Sequence, residues 1–199
     1  MNMDPEDTVR ESIGAHIEAT TALLEAQVPS LVAGAQRFVR CLLDEGRLFV
    51  CGSGGSAANA QHFAVKMLGR FERERPGLPV FCLADSVPLV TSLTENYGAA
   101  DVFARQLRAL GQPGDVLLAL SATGMSTNTV QAIVSAHDRG MDVVVLTGHD
   151  GGDVTRVLGP DDIGIHVPVS SPIRAEEIHL LLINVLCDLL ERELFGDSL

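Results

Sequence analysis

The sequence predicts an α/β fold, a three-layer α-β-α sandwich with a five-stranded parallel sheet in the middle layer. Five apolar runs rich in Val, Ile and Leu are too short for helices and are typical of strands buried on both faces. Stretches with helical spacing separate these runs along the chain. This alternation of strand and helix is the pattern of a doubly wound sheet.

The elements follow one another in a regular order. Residues 1–45 are expected to form two N-terminal helices, with Pro29 near their junction and Gly46 as the stop. The predicted strands are Leu48–Cys51, Val80–Leu83, Val116–Leu120, Val143–Leu146 and Ile163–Val167. The predicted helices among and after them are Ser56–Arg70, Ser86–Thr94, Ala99–Leu110, Ser126–Arg139, Gly152–Leu158 and Ile173–Phe195. With no repeat or linker, we expect a single domain over 1–199, in which 46–199 form the α/β core.

The first two helices and the last helix carry more apolar surface than one sheet needs. The last helix has an apolar stripe that is wider than the face of a single sheet requires, and the N-terminal helices add to it. Such a surplus predicts that these helices pack in an oligomeric helical bundle. The alternative is that both ends of the chain cover only their own sheet.

Composition excludes several classes of protein. The net charge of −12 repels a phosphate backbone, so direct binding to nucleic acid is not expected. No apolar run is long enough to span a membrane, and the acidic start MNMDPEDTVRES does not resemble a secretory signal. The four cysteines lie in apolar surroundings without a C-x-x-C pair. Reduced, buried thiols and a cytoplasmic location follow as expectations.

The first loop with possible chemistry, 52–56, follows the first strand and precedes a helix. Its sequence Gly-Ser-Gly-Gly-Ser lets the backbone approach a ligand, and the free N–H groups of the helix start favour an anion. Ser53 and Ser56 are its candidate binding residues. The loop lacks the third glycine of a dinucleotide fingerprint. The alternative is that the glycines only permit a tight turn.

The second loop, Ser121–Ser126, follows the third strand and also leads into a helix. Ser121, Thr123 and Ser126 place three hydroxyl groups at the start of that helix. Hydroxyl and backbone N–H donors together can hold a phosphate without any lysine or arginine. The alternative is that Ser126 is an N-cap and the other two are turn residues. Both loops lie at the carboxyl ends of strands, where open α/β sheets bind ligands.

The two loops, together with AQHF at 60–63 and DVLLALSATGMS at 115–126, resemble the sugar isomerase (SIS) family. The resemblance runs through most of the chain and implies a flavodoxin-like fold and a homotetramer with active sites at subunit contacts. It also implies that Ser121, Thr123, Ser126 and Ser56 hold a phosphosugar. One branch of the family is phosphoheptose isomerase, which converts sedoheptulose 7-phosphate to D-glycero-D-manno-heptose 7-phosphate. The other contains the DnaA initiator-associating protein DiaA, and several blocks of this sequence resemble it more.

Three of the four positions that carry isomerase chemistry in the family are altered here. The resemblance implies a histidine, a glutamate one turn later, a glutamine and a second histidine, a set that can hold zinc. This chain has His62, Lys66, Glu176 and Asn184 at these positions. Lysine repels a divalent cation, asparagine is a poor zinc ligand, and His62 with Glu176 leaves too few ligands for a catalytic zinc. We therefore expect no metal or other cofactor, with zinc only if the chain is an isomerase.

Glu176 remains a candidate contact to the phosphosugar, while His179 is expected to be a core filler. An apolar pair at the end of the last helix, Leu194 and Phe195, is the candidate surface for a protein partner. In the DiaA branch such a pair contributes to binding of a DnaA-type replication initiator. The alternative is that this pair only docks the helix against its own chain.

The leading sequence hypothesis is a phosphosugar-binding, DiaA-like regulator of replication initiation with a degenerate isomerase site. The alternative is phosphoheptose isomerase, and a third possibility is a phosphosugar sensor with another partner.

Overall fold

The computed structural model describes residues 4–196, apart from the side chain of Glu25. The strands are β1 (Leu48–Cys51), β2 (Val80–Cys82), β3 (Val116–Ser121), β4 (Asp142–Gly148) and β5 (Ile163–Val167). The helices are α1 (Pro5–Ala26), α2 (Val28–Leu43), α3 (Gly55–Leu68), α4 (Val87–Tyr97), α5 (Val102–Leu110), α6 (Thr127–Asp138), α7 (Gly152–Arg156) and α8 (Pro172–Phe195). A short 3₁₀ turn, Ala99–Asp101, precedes α5.

The five strands form one parallel sheet in the order β2-β1-β3-β4-β5. The central pair β1 and β3 is in register from Leu48 opposite Val116 to Cys51 opposite Ala119. The chain order reverses direction between these two strands, and such a switch point leaves a crevice outside their carboxyl ends. The predicted flavodoxin-like sheet is confirmed, and the crevice lies between the two loops that the sequence singled out.

Helices cover both faces of the sheet, which confirms the predicted three layers. One core is built from alternate residues of the strands, such as Val50 and Leu118, and from α2, α3 and α8. The second core contains Phe49 and Leu117 with α5 and α6. Successive residues of a strand point to opposite faces. Because both faces of the sheet are buried, nearly every residue of a strand is apolar, which explains the uninterrupted apolar runs of the sequence.

Several element boundaries differ from the sequence prediction, and β4 and the helix predicted over 99–110 are two examples. β4 continues through Thr147 and Gly148, which pair with His166 and Val167 of β5. The predicted helix over 99–110 begins as the 3₁₀ turn before it becomes α5. Both differences have the same cause. The apolar pattern of the sequence stops where polar or small residues begin. The actual end of a strand or helix is set by its backbone hydrogen bonds.

The end of α2 differs in detail from the prediction. The left-handed residue is Glu45, with φ of 61°, and not Gly46. The N–H groups of Gly46 and Glu45 donate back to the carbonyls of Cys41 at 2.8 Å and Leu42 at 3.3 Å, which is a Schellman ending. Gly46 is needed for another reason, since a Cβ there would collide with Cys41 and the carbonyl of Gly114.

The four cysteines are free thiols, as the sequence predicts, and Cys82 is only partly buried. Burial, with a smaller contribution from nearby Asp115, raises the pKa of Cys41 to about 12. The pKa of Cys187 is also raised to about 12, chiefly by burial. These thiols therefore stay protonated near neutral pH and are inert as nucleophiles.

Several helices expose apolar side chains. On α1 these are Val9, Ile13, Ile17 and Leu24, and on α8 they are Ile173, Leu180, Leu181 and Val185. No helix within residues 4–196 is long and apolar enough to cross a membrane. The exposed stripes are what a helical bundle between subunits requires, and the oligomeric bundle itself stays a prediction.

A buried ion pair fastens the segment after α3 to α8. Arg75 and Glu191 are 2.8 Å apart, and their side chains are 1% and 2% exposed. The Arg75 guanidinium also donates to the carbonyls of Lys66 and Met67, both at 2.8 Å. Burial alone would raise the pKa of Glu191, but the N–H groups of Phe71 and Glu72 and the Arg75 cation outweigh it and lower that pKa. The pair therefore fixes the end of α3 against α8.

We expect Arg75→Met to lower the free energy of unfolding by about 3–5 kcal/mol, because Glu191 would remain charged and buried without its partner. The double variant Arg75→Met with Glu191→Leu should recover much of that loss. Urea denaturation with the matched control Arg10→Met, which breaks an exposed pair with Glu6, tests this. The control should change stability by no more than about 0.5 kcal/mol. If Arg75→Met lowers the free energy of unfolding by no more than the control does, Arg75 and Glu191 do not form a buried ion pair.

Candidate functional site

The first loop lies at the carboxyl end of β1 and leads into α3. Gly54 has φ of 61°, a left-handed conformation that glycine adopts without strain. Ser53 is exposed at the crevice, whereas Ser56 is only 3% exposed and packs in the first turn of α3 against Gly52. Of the two predicted binding residues on this loop, Ser53 is the more accessible.

The second loop gathers its hydroxyl groups at the start of α6. The Ser121 hydroxyl donates to that of Ser126 at 3.1 Å, and the Met125 N–H donates to the Thr123 hydroxyl at 3.2 Å. Ser126 occupies the N-cap position of α6, yet its side chain makes no capping hydrogen bond. The first N–H groups of α6 therefore stay available to an anion. This geometry favours the phosphate interpretation over the N-cap alternative.

A side-chain hydrogen bond joins the two loops. The amide of Asn128, in the first turn of α6, donates to the Ser53 hydroxyl at 2.8 Å. A cavity of about 320 Å³ opens here and is lined by Ser53, Ala99, Ala100, Ser126, Thr127 and Asn128. Sequence reasoning missed Asn128. Its only signal was a polar residue two positions after an N-cap serine, which is common at helix starts.

A second cavity lies on the other side of the Ser121–Ser126 loop. It has a volume of about 270 Å³ and is lined by Ala122, Thr123, Met125, His149, Asp150, Ser170 and Pro172. Gly124 of this loop, with φ of 68°, packs so tightly on Gly151 that a Cβ would collide with it. Local spacing does not predict that His149 and Asp150 lie at this loop, because only the pairing of β4 with β3 brings them there.

Glu176 reaches the first loop from the first turns of α8. Its carboxylate lies against Gly55, and a Cβ at that position would overlap it. The Asn59 amide donates to the Glu176 backbone carbonyl at 2.8 Å and so holds α8 against α3. Glu176 is therefore positioned beside the crevice, as the sequence prediction requires. Glu177 points elsewhere and pairs with Arg174 and His16.

The other three family positions lie toward the far end of α3. The ring of His62 and the side-chain oxygen of Asn184 are 2.8 Å apart. Lys66 follows His62 by one turn of α3. Ser56 precedes Lys66 by ten residues, which is roughly 15 Å along a helix. Lys66 therefore lies nearly three turns of α3 beyond the first loop.

Comparison with known proteins fits this architecture. The SIS domain profile matches residues 13–148. The chain belongs to the SIS domain family. The match contains both crevice loops and four of the five strands, so the family assignment rests on the segment that forms the site.

Two sequence relatives and two solved structures carry the name phosphoheptose isomerase. A phosphoheptose isomerase from Chromohalobacter salexigens is 47% identical over 196 residues, covering 98% of this chain and 100% of the relative. One from Coxiella burnetii is 45% identical over 190 residues, covering 96% of each chain. The solved phosphoheptose isomerase from Neisseria gonorrhoeae has a TM-score of 0.90 at 36% identity, covering 94% of this chain and 99% of that one. The structure from Francisella tularensis also has a TM-score of 0.90, at 33% identity, covering 96% of this chain and 100% of that one.

The predicted SIS membership is confirmed, but the predicted closeness to the DiaA branch is not. These SIS relatives are named phosphoheptose isomerase, which favours the alternative in the sequence analysis over the regulator. The resemblance to the DiaA branch rested on several sequence blocks, with added support from the altered isomerase positions on α3 and α8. Such substitutions at a few positions do not decide the branch when the rest of the chain is 45–47% identical to named isomerases.

The residues of this SIS chain do not fit a zinc ion. Asn184 binds His62, and an ammonium group stands one turn away, at Lys66. Glu176, the other candidate ligand, lies toward the other end of the helix pair at Gly55. No group of three or more His, Cys, Asp or Glu side chains that could hold a metal occurs in the described part of the chain. We therefore assign no step to a metal.

The apolar pair at the end of α8 packs largely within its own SIS domain. Leu194 is half-buried against the core, and Phe195 is 40% exposed. The Arg75 guanidinium lies 6.0 Å from the centre of the Phe195 ring, and Arg73 donates to the Gly196 carbonyl at 2.6 Å. These contacts support the docking alternative. Binding of a protein partner by Leu194 and Phe195 stays a prediction.

His179 lies in the core and not in the crevice, as expected for a filler. It is fully buried, and neither ring nitrogen has a hydrogen-bond partner among the described residues. Burial lowers the pKa of His179 from 6.5 to about 4. The folded protein therefore keeps this ring neutral at pH values where the unfolded chain already binds a proton.

This difference predicts a loss of stability in mild acid. Below pH 6.5 the unfolded state takes up a proton at His179 that the folded state refuses until about pH 4. At about pH 4.5 the contribution should reach about 2–3 kcal/mol against neutral pH. Urea unfolding at both pH values should show a correspondingly smaller acid loss for His179→Leu than for the unsubstituted protein. Parallel pH profiles for the two proteins would refute this account of His179.

Proposed function

We propose that this SIS protein binds a sugar phosphate in the crevice between β1 and β3. The observation that carries the proposal is the hydroxyl loop Ser121–Ser126 at the start of α6, with Ser126 free of its capping hydrogen bond. Two hydroxyl groups and the first N–H groups of a twelve-residue helix form a phosphate site. Ser53 and Glu176 stand at the edge of the first loop, where the sugar would lie.

Phosphoheptose isomerisation is the first candidate activity, and the heptose 7-phosphates are its substrate class. What supports it is that relatives covering nearly the whole chain at 45–47% identity carry this name. The reaction moves a proton between neighbouring carbons, so it needs a base and a group that polarises the carbonyl. Glu176 is the carboxylate at the first loop and serves as the base in this proposal. Loop hydroxyls and helix N–H groups hold the phosphate and fix the carbon chain beside it.

The second candidate is a DiaA-like regulator that binds the phosphosugar without converting it. Lys66 and the His62–Asn184 pair favour it, because they replace the groups that family-type proton transfer requires. Its partner would be a DnaA-type replication initiator that contacts Leu194 and Phe195. Both candidates take a homotetramer as the assembly, supported by the apolar stripes on α1 and α8.

The phosphate loop can be tested by binding alone. We expect Ser126→Ala to weaken binding of sedoheptulose 7-phosphate by about tenfold or more, because hydrogen bonds to a charged group contribute about 1.5–3 kcal/mol each. Isothermal titration calorimetry measures the affinity, and Ser12→Ala on exposed α1 is the matched control. Equal affinities for the two variants would show that the phosphate lies elsewhere.

Turnover separates the two candidate functions. If the chain is an isomerase, Glu176→Gln should lower kcat for sedoheptulose 7-phosphate by about 10²–10⁴-fold, since the amide cannot accept the proton. The phosphate contacts remain in this variant, so KM should change much less. Aldose formation by the unsubstituted protein is measured with Glu177→Gln as the neighbouring control. A Glu176→Gln enzyme with full kcat would exclude Glu176 as the base.

Binding of the sugar phosphate without any turnover would exclude the isomerase and leave the regulator. In that case capture of a purified DnaA-type initiator, and its loss in Phe195→Ala, is the decisive measurement. The phosphate proposal survives either result, because Ser126→Ala reports on binding and not on chemistry.

A further inference from the structure

Asn128, in the first turn of α6, controls the position of the Ser53 side chain in the first loop. Its amide nitrogen donates to the Ser53 hydroxyl at 2.8 Å. Within residues 4–196, this is the one hydrogen bond that a side chain of loop 52–56 makes. Asn128 is half-buried, whereas Ser53 is exposed. The more firmly held side chain therefore sets where the more mobile one lies.

The chemistry of the two groups fixes the direction of this hydrogen bond. The amide nitrogen of an asparagine can only donate, so the Ser53 oxygen is the acceptor. The hydrogen of the Ser53 hydroxyl takes no part in this bond and stays available to another acceptor. The Ser121–Ser126 bond differs, because it joins two hydroxyls and can reverse its direction. Asn128 thus makes Ser53 a donor.

Asn128 and Ser53 stand where two cavities adjoin. The cavity of about 320 Å³ at the start of α6 shares Ser53, Ala99 and Asn128 with a further cavity of about 250 Å³, which extends to α4 and α5. None of the described residues that line either cavity is charged. An anion in this crevice would therefore be held by hydroxyl and N–H dipoles alone. The direction in which each hydroxyl points then matters for affinity.

We propose that Asn128 is a positioning residue, which donates to the Ser53 oxygen and so directs the Ser53 hydroxyl hydrogen toward an oxygen of a bound sugar phosphate. The inference rests on the proposed function, because it requires a sugar phosphate in the crevice. A hydroxyl that accepts one hydrogen bond donates a stronger one, since linked hydrogen bonds polarise each other. Asn128 acts through Ser53 and not by contact with the ligand.

Aspartate at position 128 separates the attachment of the loop from the direction of the hydrogen bond. Aspartate has nearly the size of asparagine, but its carboxylate can only accept. In Asn128→Asp the Ser53 hydroxyl would donate to the carboxylate, so the loop would stay attached while the crevice lost its donor. In Asn128→Ala the bond is removed, and the Ser53 hydroxyl can still rotate toward the ligand.

Calorimetry with sedoheptulose 7-phosphate measures the effect on binding. We expect Asn128→Asp to weaken binding by about tenfold or more, because the Ser53 donor is lost and a negative charge is added near the anion. Asn128→Ala should weaken it by only about three- to fivefold. The control Gln131→Glu adds the same charge one turn further along α6 and should weaken binding by less than about threefold. Equal losses for Asn128→Asp and Gln131→Glu would overturn the inference, because charge alone would explain them.

A double-variant cycle shows whether Asn128 acts through Ser53. If it does, Ser53→Ala already carries the full loss, and adding Asn128→Ala to it should change the affinity by no more than about twofold. A residue with its own contact to the ligand would instead give losses that multiply. Multiplied losses in the double variant would therefore refute a role through Ser53.

Amide hydrogen exchange of the unliganded protein tests the attachment of the first loop without any ligand. We expect Asn128→Ala to speed exchange in the peptide that covers residues 52–56 by about fivefold, because the loop loses its bond to α6. Asn128→Asp should leave that rate near the value of the unsubstituted protein, since the carboxylate still accepts from Ser53. Unchanged exchange in Asn128→Ala would contradict the inference.

The proposed function and the inference about Asn128 fail in different ways. If the unsubstituted protein does not bind sedoheptulose 7-phosphate, the proposed function fails, and the ligand contact of Ser53 fails with it. If Ser126→Ala weakens binding and Asn128→Asp does not, only the inference about Asn128 fails. The result that supports both is weaker binding in Ser126→Ala and Asn128→Asp, with exchange in residues 52–56 faster only in Asn128→Ala.

Discussion

Pairing of β1 with β3 at the centre of the sheet is the constraint on which the rest of this structure depends. The two strands lie side by side in parallel register from Leu48 opposite Val116 onward, although some sixty residues separate them in the chain. Their connections leave in opposite directions, so no helix fills the space above their carboxyl ends. Both candidate loops must end there, and the Asn128–Ser53 hydrogen bond joins them. The phosphate site is therefore a consequence of strand order.

The contact between α3 and α8 is the second determinant of the site. It places Glu176 against the first loop at one end and His62 against Asn184 toward the other. The Arg75–Glu191 pair anchors that other end by holding the chain after α3 to α8. Such a pair costs desolvation energy and adds little net stability, but it leaves few alternatives for the register of the two helices. The geometry of both ends of the α3–α8 pair thus depends on one buried contact.

The charge of one side chain decides how the remaining face of α3 can be used. A glutamate at position 66 would attract a cation and accept protons, whereas Lys66 attracts an anion and donates hydrogen bonds. The relatives' name and the residues of this chain therefore point to different chemistry at the same place. The proposed phosphate site is compatible with both, because it would hold the end of a sugar that does not react. This is why binding and turnover have to be measured as separate properties.

The amino-acid sequence by itself determined the fold class, the strands and the position of the two candidate loops. Unbroken apolar runs such as Val116–Leu120 are explicable only by burial on both faces, and three hydroxyls before a helix have few structural uses. These signals are local, so a single chain displays them. Only the tertiary structure decided that Asn128 joins the loops and that Glu176 rather than Glu177 meets Gly55. Those facts depend on which helices pack together, and side-chain contacts across 75 or more residues of chain leave no trace in local spacing.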